Sequence, residues 1–187
     1  LGTAIFIHNK VTYDKIDINS SALQISAIKV HLTKENSFTI YNMYNQPNKN
    51  YDLKQIPKIL NLQQPHILLG DFNAHSPTWD INCQSTDNPG LIMEEIMNNN
   101  NLCCLNDNEV NTYFSKTHGT LSSIDLTLCP SNIVDRFLWN VTDDLYSSDH
   151  FPIIISCLQS GLTQTTQHYN INKADWDKYR LYTRNIP

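Results

Sequence analysis

The chain has 187 residues, which allows one full domain and leaves little room for a second. Hydrophobic residues make up 40% and charged residues 17%, with five Gly and eight Pro, which excludes disordered, collagen-like and low-complexity classes. Thirteen Lys and Arg against 18 Asp and Glu leave a net charge of -5, so a protein that grips nucleic acid through a broad basic surface is excluded, and any such contact is local.

No apolar run approaches the roughly 18 to 20 residues of a membrane-spanning helix, and the start lacks the basic and apolar regions of a secretory signal, so the expectation is a soluble, intracellular protein. The five cysteines, Cys83, Cys103, Cys104, Cys129 and Cys157, form no C-x-x-C pair, which predicts reduced and mostly buried thiols. Asn19 and Asn140 sit in N-x-[ST] sequons, but in a chain with 23 Asn these are chance matches and carry no role.

The first predicted element is a buried strand over residues 2–8, GTAIFIH, with no cap or linker ahead of it. Apolar, β-branched runs at 24–32, 37–44 and 66–69 predict three more strands, the last stopping at Gly70-Asp71. Between the last two, Leu53, Ile56, Ile59, Leu60 and Leu62 recur at helical spacing, predicting a helix over 51–62 that Pro57 weakens. A second helix is predicted over 90–100, started by Asp87-Asn88-Pro89 and ended by four consecutive Asn. Short runs at 102–105, 112–114, 123–128, 138–141 and 151–158, bounded by turn residues, predict strands. Many strands with two or three helices point to a layered α+β or α/β sandwich rather than regular βαβ alternation. Residues 159–167 read as an uncharged linker. Residues 172–184 carry an N-cap and Ala174, Trp176, Tyr179 and Tyr182 at amphipathic spacing, with Trp176 as a packing residue. The domain therefore spans 1–158, followed by a linker and short helix over 159–187.

Chemistry concentrates in four clusters. In Ile67-Leu-Leu-Gly-Asp-Phe-Asn-Ala-His75, an apolar strand ends at Gly70 and presents Asp71 and Asn73 two residues apart, on one side of an extended chain. A carboxylate and an amide there serve a water nucleophile, a metal or a phosphate, or else form an Asx-rich turn. In Ser147-Ser-Asp-His-Phe-Pro152, Asp149 and His150 put a metal ligand and a titratable imidazole at a strand entry. In Ser122-Ser-Ile-Asp-Leu-Thr-Leu128, Asp125 interrupts an apolar strand and needs either solvent or a partner, for which His150 is the candidate. In Asn42-Met-Tyr-Asn-Gln-Pro47, Tyr44 ends a strand with a phenol able to donate to phosphate.

In this order the clusters resemble the endonuclease/exonuclease/phosphatase superfamily of apurinic endonucleases and pancreatic deoxyribonuclease. GDFNAH, S-x-I-D and S-D-H-x-P are most similar to the apurinic-type endonuclease domain of non-LTR retrotransposons of the jockey-like kind, and NKADWDKYR resembles the segment that leads on to their reverse transcriptase. The resemblance implies a DNase I-like, four-layered α/β sandwich of two β-sheets flanked by helices. It implies that Asp71 orients or deprotonates the attacking water, with Asn73 beside it on phosphate or metal. His150 would contact the scissile phosphate under the control of Asp125, Asp149 would help bind Mg²⁺ or Mn²⁺, and Tyr44 would hydrogen-bond to a phosphate oxygen. His75 and Trp79 would line a DNA-facing loop or else pack. The implied reaction is nicking of one DNA strand to leave a 3′-hydroxyl that a linked reverse transcriptase extends, with the nucleus as the site of action. The family pattern also contains an Asn and a metal-binding Glu that no residue here matches, which leads to the expectation of a chain incomplete at its N-terminus and of a weakened metal site. Two alternatives stand beside this: a phosphatase or phosphodiesterase of the same superfamily acting on an inositol lipid, sphingomyelin or a messenger tail, and a non-catalytic remnant with a binding or structural role.

Overall fold

A computed structural model describes residues 2–158 other than 21, 22, 34, 35, 48 and 50. The predicted linker and helix over 159–187, Trp176 included, lie outside the described residues.

The frame is a six-stranded mixed sheet in the order β1-β2-β3-β4-β8-β5. Its strands are β1 (Thr12–Ile16), β2 (Gln24–His31), β3 (Ser37–Tyr44), β4 (His66–Asp71), β5 (Leu102–Cys104) and β8 (Asp125–Pro130). Only β3 and β4 pair in parallel; the other neighbours are antiparallel. β3 and β4 are joined by a crossover holding a 3-10 turn (Leu53–Gln55) and α1 (Ile56–Ile59). The helix predicted over 51–62 is thus cut to short pieces. Pro57 has no N–H to give an interior turn and is accommodated in the first turn of α1. Leu53, Ile56 and Leu60 still bury, while Leu62 stays exposed.

Helix α2 (Asn88–Asn99) matches its start signal: Asp87 is the N-cap, accepting from the Gly90 N–H at 2.7 Å, and Pro89 lies in the first turn. Met93 and Ile96 are its buried residues. Together with α1 they cover one face of the sheet, where Tyr41, Met43, Leu68, Leu126 and Leu128 form the main core. On the opposite face the two-stranded antiparallel ribbon of β9 (Phe137–Val141) and β10 (Ile153–Cys157) brings Phe137 and Ile155 onto Phe38, Ile67, Leu69 and Cys129. Helices, six-stranded sheet and ribbon make an α+β layered fold, in which β9 and β10 form a second, two-stranded sheet among the described residues. The third pair, β6 (Tyr113–Ser115) and β7 (Thr120–Ser122), is a hairpin turning at Gly119, whose φ is +63°.

The strand expected over 2–8 is not formed. Thr3 Oγ1 bonds Ser26 Oγ at 2.9 Å and the Asn42 amide donates to the Ala4 carbonyl at 3.2 Å, so the segment is pinned to β2 and β3 by isolated contacts rather than by a ladder. β1, β7 and a 3-10 segment over Ser131–Arg136 were not anticipated. The cysteines are free, but only Cys129 is buried; Cys157 is exposed and the rest are intermediate, against the expectation of mostly buried thiols. Cys157 ends a two-stranded ribbon, where few neighbours are available to cover it. Among the described residues no helix is long and apolar enough to cross a membrane.

Candidate active site at the strand ends

Gly70 explains why β4 can deliver Asp71 where it does. Its φ of +140° and its fit against β3 leave no room for a side chain, since a Cβ would drive into the carbonyl oxygen of Met43. The parallel register that follows sets Tyr44 beside Asp71, and the antiparallel register with β8 sets Asp71 beside Asp125. Three of the residues expected in the site therefore stand in one cross-strand row at one end of the sheet.

Asp71 and Asn73 are brought together, though not by strand alternation. The strand ends at Asp71, and Asn73 takes a left-handed backbone with φ +43°, which Asn tolerates better than most residues. Its N–H donates to Asp71 Oδ1 at 3.0 Å, closing an Asx turn, and its Nδ2 donates to the Asn45 carbonyl at 2.9 Å. Asn45 in turn donates its own N–H to the Asp71 carbonyl at 2.8 Å and its amide to the Phe72 carbonyl at 2.7 Å. The turn and the site are the same object.

The predicted Asp125–His150 pair is formed, His150 Nδ1 donating to Asp125 Oδ2 at 2.8 Å. Asp125 is also held by Thr112, whose hydroxyl donates to Oδ2 at 2.7 Å while accepting the N–H groups of Ile124 and Asp125 at 3.2 and 3.1 Å. Asn106 donates its amide to the Asp125 carbonyl at 2.8 Å. His150 is fixed further by the Tyr113 ring, 4.8 Å between centroids, and by a bridge in which Phe114 N–H meets the Asp149 carbonyl and Phe151 N–H the Thr112 carbonyl, each at 2.8 Å. Thr112, Tyr113 and Asn106 escaped the reading of the sequence. The only signal was the Thr-Tyr pair opening a strand, which says nothing of the residues it will meet 13 to 37 positions later.

The electrostatics follow from burial and like charge. Desolvation, followed by the neighbouring Asp125 carboxylate, pushes Asp71 up to about 6, against the opposing hydrogen bonds from Asn73 and the charge of His150. The hydrogen bond to Asp125 holds His150 above its ordinary value despite partial burial, with the charges of Asp125, Asp71 and Asp149 adding to it. Burial, then the Asp71 charge, keeps the Tyr44 phenol raised and hence protonated at neutral pH.

Asp149 has an exposed side chain on the rim beside His150, and among the described residues no three His, Cys, Asp or Glu side chains converge as a metal-ligand group. Asp149 and Asp71 both act on His150 through their charge. His75 pairs through its backbone with Asp87, tying the segment after the site to the start of α2. Trp79 is fully buried, its indole donating to the Ala74 carbonyl at 3.2 Å, so of its two expected roles it packs. A cavity of about 670 Å³ lies at the other end of the sheet among Leu32, Phe38, Pro65, Arg136 and Phe137. The clustered carboxylates and imidazole are half-buried at the opposite end of the strands.

A protein-family model described as endonuclease-reverse transcriptase matches residues 38–154, more than half of the chain. Curated protein sequences give no match. Among solved structures, the chain is similar to the endonuclease domain of TRAS1, a telomere-specific non-LTR retrotransposon, with 25% identity and a TM-score of 0.68 over 81% of this chain and 69% of that one. It shares its fold with the catalytic domain of APE2 from Xenopus laevis (20% identity, TM-score 0.52) and with the AP endonuclease LMAP from Leishmania major (13%, 0.55). It covers 72% and 73% of itself in those matches but only 54% and 55% of those chains. The chain belongs to the endonuclease-reverse transcriptase family, an endonuclease/exonuclease/phosphatase fold of the kind found in non-LTR retrotransposons.

Proposed function

We propose that the chain is a divalent-metal-dependent phosphodiester hydrolase that nicks DNA. The observation that carries this is the meeting, in one cross-strand row and its flank, of a carboxylate pushed up to about 6 and an imidazole hydrogen-bonded to its own carboxylate partner at 2.8 Å.

Each residue has a part that follows from its surroundings. With Nδ1 committed to Asp125, His150 is left with Nε2 as its free edge, and the Asp125 hydrogen bond, which raises its proton affinity, favours the protonated form that donates to a phosphate oxygen. Thr112 and Asn106 hold Asp125, so the imidazole is oriented before substrate arrives. Asp71, at about 6, is mostly ionised at neutral pH yet a stronger proton acceptor than an ordinary carboxylate, which suits it to take a proton from the attacking water. Tyr44 keeps its proton and donates it in a hydrogen bond to phosphate. Asn73 has its amide nitrogen committed to Asn45, leaving its oxygen for a cation.

Asp71 and Asn73 offer adjacent hard oxygens of the kind that suits Mg²⁺ or Mn²⁺, and Asp149 adds an exposed carboxylate beside His150; a cation that keeps several waters and takes phosphate oxygens needs only one or two protein carboxylates. The buried, charge-crowded Asp71 is where such a cation relieves repulsion. When bound, the cation supplies Lewis-acid stabilisation of charge on the phosphate and leaving group. A nick that leaves a 3′-hydroxyl suits a linked reverse transcriptase acting in the nucleus, a coupling that the family's description supports. The acidic balance of the chain predicts modest nonspecific DNA affinity that falls steeply with salt.

The test is conversion of supercoiled plasmid to open circle by the 187-residue chain with Mg²⁺ or Mn²⁺, beside His150→Ala. Nicking by the parent, reduced about 10²–10⁴-fold in the variant, is expected. Equal nicking by both proteins, or none by the parent, overturns the proposal.

A further inference from the structure

Asp80 is a buried carboxylate, 3% exposed, that the chemistry of the site does not use. Among the described residues no Lys, Arg or His pairs with it. Its oxygens are met by backbone instead, Oδ1 by the Asn82 N–H and Oδ2 by the Ser123 N–H, each at 3.0 Å. The first bond closes a local turn; the second spans 43 residues of chain and lands on the junction between β7 and β8, the junction that delivers Asp125. Side chains take each N–H of that junction: Asp80 takes Ser123, and the Thr112 hydroxyl takes Ile124 and Asp125. The Ile124 carbonyl is held in turn by the Phe72 N–H at 3.0 Å. Asp80 itself belongs to the segment that runs on from Asp71 and Asn73, where its own N–H and carbonyl are tied to the Ser76 carbonyl and the Cys83 N–H. Its carboxylate therefore joins the segment after Asp71 to the turn before Asp125. Burying a carboxylate without a cation is costly unless hydrogen bonds hold it, and a charged acceptor binds an N–H more strongly than a neutral one.

We propose that Asp80 is a positioning residue of the active site, acting through the Ser123 N–H to hold the turn from which Asp125 reaches His150. This rests on the phosphodiesterase reading of the site. Thr112 grips the same turn by its next two N–H groups, so Asp80 and Thr112 share one task from two elements. Asp125 Oδ2 accepts from both Thr112 and His150, at 2.7 and 2.8 Å, and a turn that tilts at Ser123 changes the angle of both bonds. An imidazole displaced by a fraction of an ångström no longer meets the charge that develops on the phosphate, which lowers turnover rather than affinity.

Asp80→Asn keeps the shape of the side chain, removes its charge and offers one oxygen to two N–H groups. In the full chain with Mg²⁺ or Mn²⁺, kcat for nicking of supercoiled plasmid, per folded molecule, should fall about ten- to hundredfold with KM within about twofold. The imidazole nitrogen resonances of His150, read by NMR at one fixed pH, should move, because they report the bond to Asp125. Met93→Ala, a substitution in the fully buried core under α2, should lower stability and change neither reading. Asp80→Asn combined with Thr112→Val should lose less kcat than the product of the two single losses, because both act on one turn. A parent-like kcat in folded Asp80→Asn, single losses that simply multiply, or an Asp80→Asn chain that does not fold assigns Asp80 to the scaffold; each overturns the inference and leaves a nicking parent enzyme intact. A parent that does not nick DNA overturns the reading of the site, and this inference with it.

Discussion

The two faces of the six-stranded sheet are built to different ends from the same strands. On the helical face, Tyr41, Met43, Leu68, Leu126 and Leu128 join residues of α1 and α2 in one continuous core. On the other, the apolar cluster under the β9–β10 ribbon is small, and at one end of the strands it gives way to Tyr44, Asp71 and Asp125. β8 shows the division within six residues: Leu126 and Leu128 are fully buried, while Asp125 precedes them on the other side and bonds His150. Side-chain alternation lets a strand be anchored through one face and present reactive groups from the other. The helical face supplies most of the burial, and the site end accepts crowded charge and a left-handed Asn.

Substitutions can separate the two faces. Leu126→Ala, on the helical face, removes a fully buried side chain from the core and should cost about 2–5 kcal/mol of stability, read by urea unfolding. Nicking per folded molecule should survive, because Leu126 points away from the row. A smaller effect is expected from Thr112→Val, which strips Asp125 of a donor and leaves two N–H groups without their acceptor: about 1–3 kcal/mol. Here the loss should extend to nicking and to the proton affinity of His150 followed by NMR, and Thr112→Ser should restore both. A Thr112→Val protein that is destabilised but cleaves as the parent does would place Thr112 with the core rather than with the site.

The helical face was the more legible of the two. β3 was read with its observed bounds because it is an apolar, β-branched and aromatic run, in which Thr39, Tyr41 and Met43 bury at every second position, and α2 because Asp87 and Pro89 announce its first turn. β1 was missed because Thr12–Ile16 is an exposed edge strand with no apolar alternation. β7 was missed for the same reason. At the site, the resemblance named Tyr44, Asp71, Asn73, Asp125, Asp149 and His150, and geometry joins all but Asp149 into close register or hydrogen bonding. What could not be read was anything that depends on pairing between distant strands. Thr112 matters through a hydroxyl placed 13 residues before its partner, and Tyr44, Asp71 and Asp125 meet through registers across two strand interfaces. Asn73 meets Asp71 by a route other than the one expected, since its left-handed backbone replaces the extended chain that spacing alone suggested.

The central claim, that the site end of the sheet holds charge against the interest of stability, is tested most directly by Asp71→Asn, measured for both nicking and unfolding across pH. Folded Asp71 keeps its proton to about pH 6, whereas the unfolded carboxylate releases it near 3.8. The parent therefore loses stability as pH rises through that window, by roughly 2–3 kcal/mol once pH 6 is passed. The amide variant carries no such charge. In metal-free buffer it should match the parent below pH 3.8, exceed it by that margin at pH 8, and nick plasmid far more slowly when Mg²⁺ or Mn²⁺ is added. An Asp71→Asn protein that nicks like the parent, or one that is less stable than the parent at pH 8, would contradict the account.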